Sequence, residues 1–288
     1  MRFACAEEQR PTWGLLHGVD AGVMVGEELE VVSESGVMRG RADRTGEVRR
    51  LGQLLAPLPV APAPPAVIAA GLNYKGHAEE TGKALPRFPI TIWVNPASVP
   101  ARPDEDIFVP KIAQNPLEID YEVELAIVIG SAEDGGFCRN VSEADAMKFV
   151  AGFTVANDVS ARRWQGKKGG GQWCRAKSFD TFTPVGPSLL LTGDDLDYDT
   201  GNFGFPLWSK VNGKTMQSSN TSDMIFSPAE LVSFASQGTT LLPGTILLTG
   251  TPQGVGYTQS PPVFLEHGDF VEVAIEGIGS LRNKVVFE

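Results

Sequence analysis

The sequence has 288 residues and a formal net charge of −11, with 24 basic side chains against 35 acidic ones. A chain this acidic lacks the basic face that phosphate binding needs, which excludes nucleic acid as an expected partner. No apolar run reaches the length of about eighteen residues needed to span a membrane, and 32 glycines with 21 prolines favour strands and tight turns over a helix bundle.

In chain order, the start (Met1 to Arg10) has no apolar run of signal-peptide type, so a cytoplasmic location is expected. Val19–Val25 and Leu29–Val32 read as short strands of a small leading α+β unit, set at residues 1–60. Five prolines between Ala56 and Pro65 make a semi-rigid extended connector to the main unit, residues 61–288. There, Val67–Ala70 reads as a strand and Tyr74–Thr81 as a short helix closed by Gly82. Asp120–Ile129 is a strand, Glu143–Val150 a short helix, Phe153–Ala156 a strand, and 162–176 a glycine-rich basic loop. Pro184–Leu191 is a strand, and Ser227–Phe234 is a helix with Pro228 suited to its first turn. Leu241–Gly250 is a turn and strand, and Phe270–Ile275 with Leu281–Phe287 makes a closing hairpin. The sum is a strand-rich α+β chain. The three cysteines, Cys5, Cys138 and Cys174, are odd in number and fit no zinc spacing, so they read as reduced packing thiols.

The sharpest feature is the strand from Asp120. Side chains alternate faces along a strand, so Tyr121, Val123, Leu125, Ile127 and Ile129 share one apolar face. Asp120, Glu122 and Glu124 begin the other face, which turns apolar at Ala126 and Val128. A sheet with one solvated side produces this pattern. So does a set of carboxylates around a hard cation, which relieves their repulsion. Both readings stand on the strand alone. Asp158, after the apolar run 149–156, reads alone as a turn former or a helix cap.

The order of the motifs adds more. Asn73, Tyr74, His77 and Glu80 come first, then Asp120, Tyr121, Glu122, Val123, Glu124 and Leu125. Asn157, Asp158, Arg162 and Gln165 follow, then Gln172–Trp173 and the stretch from Ala176–Lys177 to Pro187, and last Leu248 to Gly256. Over about residues 65–288 this resembles the fumarylacetoacetate hydrolase family, including its acylpyruvase and oxaloacetate decarboxylase branch. The resemblance implies the family's mixed β-sandwich roll. It implies Glu122, Glu124 and Asp158 as ligands of Mg²⁺ (or Mn²⁺ or Ca²⁺), and His77 with Glu80 as a dyad on a lid-like helix. It places Lys177 near the metal, and Arg162, Gln165, Thr251 and Tyr74 at the substrate. It also implies a homodimer. Without it, His77 and Glu80 would read as a surface ion pair and Lys177 as an exposed lysine. Where family members often carry a lysine before a proline, this chain has Asn95 before Pro96, and a fixed charge is expected to be missing from the pocket.

The implied reaction is divalent-metal-dependent hydrolysis of a C–C bond in a small 1,3-dicarbonyl, with His77 deprotonating water and Lys177 offsetting the developing charge. Decarboxylation or isomerisation of a β-keto acid needs the same enolate stabilisation without attack by water, so these remain alternatives. A non-catalytic metal-dependent binding protein is the alternative outside enzymes.

Overall fold

The computed structural model describes residues 2–5, 11–14, 28–57, 63–132, 135–192 and 204–288. The strand expected at Val19–Val25 and the middle of the proline connector, 58–62, lie outside the described residues.

Near the N-terminus four strands, Arg2–Cys5, Pro11–Gly14, Glu28–Val32 and Arg44–Leu55, close into a small barrel. Closure leaves no free sheet edge. Trp13, Val32 and Val37 from this region pack on Val128, Ala151 and Leu189 of the main sheet.

The main sheet has six strands in the order Val185–Leu191, Val150–Asn157, Val123–Ile129, Ile246–Leu248, Val67–Gly71 and Ile90–Val94. It is mixed, because Ile246–Leu248 runs parallel to Val67–Gly71 and antiparallel to Val123–Ile129. A second sheet has the order Lys214–Asn220, Pro206–Val211, Phe270–Ile275, Gly279–Phe287 and Ile107–Val109. Between the two lies the principal core. Val123, Leu125, Ile127, Ile129, Phe153 and Val155 face Leu207, Val211, Val271, Val273 and Leu281 there. The opposite face of the main sheet carries a smaller cluster that includes Ala69, Ile92, Ala126, Ala156 and Leu248. The alternation read from the sequence is therefore the division between two cores. Every residue of Val123–Ile129 is buried, so the solvated-face reading does not hold.

Several elements differ from expectation. The strand read as Asp120–Ile129 is interrupted: Ile119–Asp120 pairs with Ser160–Ala161, and Val123–Ile129 belongs to the main sheet. The helix expected over 143–150 is one α-turn, Glu143–Ala146, then a 3₁₀ turn, Met147–Phe149, because Val150 already belongs to a strand. The 162–176 loop contains two short helices, Arg162–Gln165 and Trp173–Lys177. The hairpin Pro206–Val211 to Lys214–Asn220 was not expected. The helix Pro228–Ser236 has Ser227 as N-cap with a reciprocal Glu230 capping box. No helix among the described residues is long and apolar enough to cross a membrane.

Candidate active site

The carboxylates meet through strand pairing. Ala156 lies opposite Glu124 and Asn157 opposite Val123, so Asp158, one residue further on, reaches Glu122. The Asp158 backbone N–H donates to the Glu122 carbonyl at 2.9 Å, and the Glu122 N–H donates to Asn157 Oδ1 at 3.1 Å. Oxygens of Glu122, Glu124 and Asp158 all lie within 4.8 Å of one another, and all three residues are buried. Glu124 also accepts the Gly250 N–H at 2.7 Å. Gly250 has φ of +92°, and a Cβ there would meet Asn73 Cβ at 2.8 Å, so the turn requires glycine.

Two cations face this group. Lys177 Nζ donates to Glu122 Oε2 at 2.8 Å, to Ser160 Oγ at 2.9 Å and to Asp158 Oδ2. Arg162 donates to Glu122 Oε1 at 2.6 Å, to Asp120 Oδ2 at 2.8 Å and to Gln165 Oε1 at 2.9 Å. The Tyr257 ring lies 4.5 Å from the Arg162 guanidinium. Asp120 is held in turn by the Gly256 and Tyr257 N–H groups at 2.7 and 3.1 Å.

The electrostatics follow from burial. Four buried carboxylates, Asp120, Glu122, Glu124 and Asp158, face two buried cations, Arg162 and Lys177, which leaves two formal negative charges. Burial pushes the Asp158 carboxyl up to about 6; Lys177 opposes this and Glu122 adds to it. Burial, then repulsion from Asp158 and Glu122, drives Glu124 well above the ordinary range. Glu122 also pays for burial, but Arg162 and Lys177 outweigh it and hold the carboxyl near 2. Asp158 Oδ1 is buried with no hydrogen-bond partner, which is costly for a carboxylate oxygen. An orphaned buried oxygen and three converging carboxylates, two of them pushed up by burial and mutual repulsion, fit the donor set that a hard divalent cation takes.

His77 and Glu80 lie on the six-residue helix Lys75–Glu80. His77 Nδ1 is 2.6 Å from Glu80 Oε1. Glu80 Oε2 accepts from the Gly254 N–H and the Thr258 hydroxyl, both at 3.0 Å. Burial opposes this, yet the bonds to His77 and Gly254 still lower the Glu80 carboxyl. Asp223 caps the helix through the Gly76 N–H at 2.9 Å. Gly71 ends a strand and Gly82 closes the helix, so the flanking glycines occupy defined positions in this conformation.

A cavity of about 220 Å³ is lined by His77, Glu122, Glu124, Arg162, Gln165, Lys177 and Thr251, and also by Lys83, Trp173 and Tyr257. Tyr74, expected at the substrate, instead lies in the core below the helix, with its hydroxyl unpartnered. Its position as N-cap residue, bridged to Met224, turns it inward. Thr251 reaches the cavity, but its hydroxyl donates to the Val123 carbonyl and accepts from Gln217. Asn95 does not line the cavity; its side chain caps the Pro96–Ser98 turn through the Ala97 N–H. Asp120 and Tyr257 were given no role from sequence. Asp120 stood in the acidic alternation, and Tyr257 follows the last motif by one residue.

Residues 66–286 match the family model "Fumarylacetoacetate (FAA) hydrolase C-terminal". The chain belongs to the fumarylacetoacetate hydrolase family. Within it, the chain is similar to the bovine (Bos taurus) oxaloacetate tautomerase FAHD2A, mitochondrial, at 45% identity over 77% of this chain and 67% of that protein. It is 42% identical to the fumarylacetoacetate hydrolase domain-containing protein 2 homolog of Dictyostelium discoideum, over 77% of this chain and 72% of the relative. Among solved structures, a 5-carboxymethyl-2-hydroxymuconate delta-isomerase from Mycobacterium smegmatis aligns over 100% of this chain and 99% of its own, at 36% identity and TM-score 0.76. A 2-hydroxyhepta-2,4-diene-1,7-dioate isomerase from Mycobacterium marinum aligns over 100% and 97%, at 34% identity and TM-score 0.77.

Proposed function

We propose that this chain is a divalent-metal-dependent enzyme that forms the enolate of a small β-keto acid or 1,3-dicarbonyl and moves a proton on it. Keto–enol isomerisation is the leading reading. The observation that carries it is one cavity lined both by His77 and by Glu122 and Glu124 of the three-carboxylate cluster. The family relatives named as a tautomerase and as isomerases support the same class.

Glu122, Glu124 and Asp158 would hold the cation, Mg²⁺ or Mn²⁺ by the hardness of the donors, which supplies positive charge to stabilise an enolate. With Nδ1 engaged by Glu80, His77 keeps Nε2 to exchange a proton with the substrate carbon or oxygen. Glu80, anchored at Gly254 and Thr258, fixes the imidazole's orientation and tautomer. Lys177 and Arg162 keep Glu122 ionised and add positive charge beside the developing anion.

C–C hydrolysis of an acylpyruvate-like substrate is the second reading. The His77–Glu80 pair favours it, since the same imidazole can take a proton from water. A cytoplasmic location and a homodimer are also proposed. The exposed Ile90 and Trp93 on the outer strand of the main sheet, with Phe88 just before it, offer an apolar edge for a second copy.

The test follows the ultraviolet absorbance of enol oxaloacetate on mixing with Mg²⁺-loaded protein. Faster decay without release of carbon dioxide supports isomerisation. Decay accompanied by stoichiometric carbon dioxide favours decarboxylation. No acceleration here or on an acylpyruvate panel leaves the binding-protein reading.

A further inference from the structure

We propose that Lys83 selects substrates carrying a second carboxylate, beyond the headgroup held at the acidic cluster. The inference rests on the metal-enolate reading above and names the substrate class and a specificity-determining residue for that site.

Three cationic side chains line the cavity: Arg162, Lys177 and Lys83. The first two are committed. Arg162 is paired with Asp120 and Glu122, and Lys177 with Glu122 and Asp158. Lys83 has no carboxylate partner among the described residues. Its ammonium lies 5.7 Å from the centre of the Trp173 ring, and Trp173 also lines the cavity. The site thus has an acidic end that fits a cation and, on the same cavity, one exposed ammonium with no carboxylate partner among the described residues. A ligand complementary to both has a chelating keto-acid or enol head and a second anionic group, joined by a short chain that can lie against an aromatic ring.

The backbone fixes where Lys83 stands. Gly82, at φ of +63°, follows the Lys75–Glu80 helix, and the Lys83 N–H returns to the Ala78 carbonyl at 2.9 Å. This closes the helix C-terminus in a Schellman-type turn. His77 and Lys83 are therefore carried by one short rigid unit, and docking that unit brings the proton-transfer imidazole and the selecting charge to the substrate together. Gly71 also lines the cavity, and a Cβ there would lie 3.4 Å from the Trp173 ring. Asn95 does not line the cavity, whereas Lys83, from another part of the chain, does.

The test compares oxaloacetate with its ester blocked at the carboxyl remote from the keto group, using wild-type, Lys83→Met and Lys83→Arg protein loaded with Mg²⁺. Oxalate, which has a chelating head and no distal group, is titrated calorimetrically in parallel. A charge-assisted contact from an exposed ammonium predicts about a tenfold loss of kcat/KM for the diacid in Lys83→Met, carried mainly by KM. The ester's kcat/KM and the oxalate Kd should stay within about twofold, and Lys83→Arg should retain the preference for the diacid. Equal losses for diacid and ester, or none for either, overturn the role of Lys83 while leaving the metal-enolate reading intact. If the wild-type protein binds no oxalate and turns over neither compound, the underlying reading fails and this inference fails with it.

Discussion

Replacing Lys177 with methionine is expected to expose how much the carboxylate cluster depends on a cation. Lys177 is 3% exposed, and its ammonium contacts Glu122, Asp158 and Ser160. Methionine keeps an unbranched apolar stem but removes the charge, so two formal negative charges become three. A unit charge pair about 4 Å apart is worth about 4 kcal/mol at an effective dielectric near 20. Desolvation of the ammonium is already spent in the native state, so breaking such a buried pair costs about 3–5 kcal/mol net. At roughly 2 °C per kcal/mol for a chain of this size, metal-free Lys177→Met should melt about 6–10 °C below the wild type. Saturating Mg²⁺ should recover part of that loss, because a cation at the triad compensates the charge that the ammonium supplied. The assay is thermal unfolding of both proteins with chelator and with Mg²⁺. Metal-free melting within about 2 °C of the wild type would refute the electrostatic account of the cluster.

Other outcomes follow from the same geometry. His77→Ala should lower turnover by about 10²–10⁴-fold while metal and oxalate still bind, read by steady-state kinetics and calorimetry. Metal-free wild-type protein should lose stability as pH rises from about 4 through about 6: burial raises the Asp158 carboxyl to about 6, so the native state holds a proton there that the unfolded chain has released. Saturating Mg²⁺ should remove that dependence in melts across the range. Asp120→Asn should cost about 1.5–3 kcal/mol, since the amide replaces the carboxylate that holds Arg162 and the 256–257 N–H groups, and denaturant unfolding checks it. Ile127→Ala, between the two sheets, should cost about 2–5 kcal/mol in the same assay.

Parts of this structure were legible because one local rule determined them. The alternation from Tyr121 to Ile129 gave both faces of the central strand, since a period of two has no other use in a buried sheet. Glu122 and Glu124 were visible for the same reason. Asp158 was not visible on its own, because its meeting with Glu122 depends on the antiparallel register of Val150–Asn157 against Val123–Ile129. The motif order supplied what register could not. The hairpin between Val211 and Lys214 was overlooked although its signal was present: Asn212 and Gly213 both take positive φ, as an Asn-Gly hairpin turn requires. The helices Arg162–Gln165 and Trp173–Lys177 are too short for periodicity to reveal, and tertiary bonds such as Arg162 to Asp120 help fix the first of them. Tyr74 is buried below its helix, a placement that its motif position next to His77 does not reveal, because it does not say which way an N-cap residue turns. Lys83 was passed over because an exposed lysine after a glycine has no sequence signature, and only the cavity shows what it faces.

The central claim is that Glu122, Glu124 and Asp158 hold a divalent cation beside His77. Its most direct test is diffraction from crystals soaked in Mn²⁺, using the metal's anomalous signal. The account predicts one peak at the triad, about 2.1–2.2 Å from carboxylate oxygens of all three residues, and its loss in Glu124→Ala. Fully soaked crystals with no peak at the triad, or with a peak held by other residues, would contradict it.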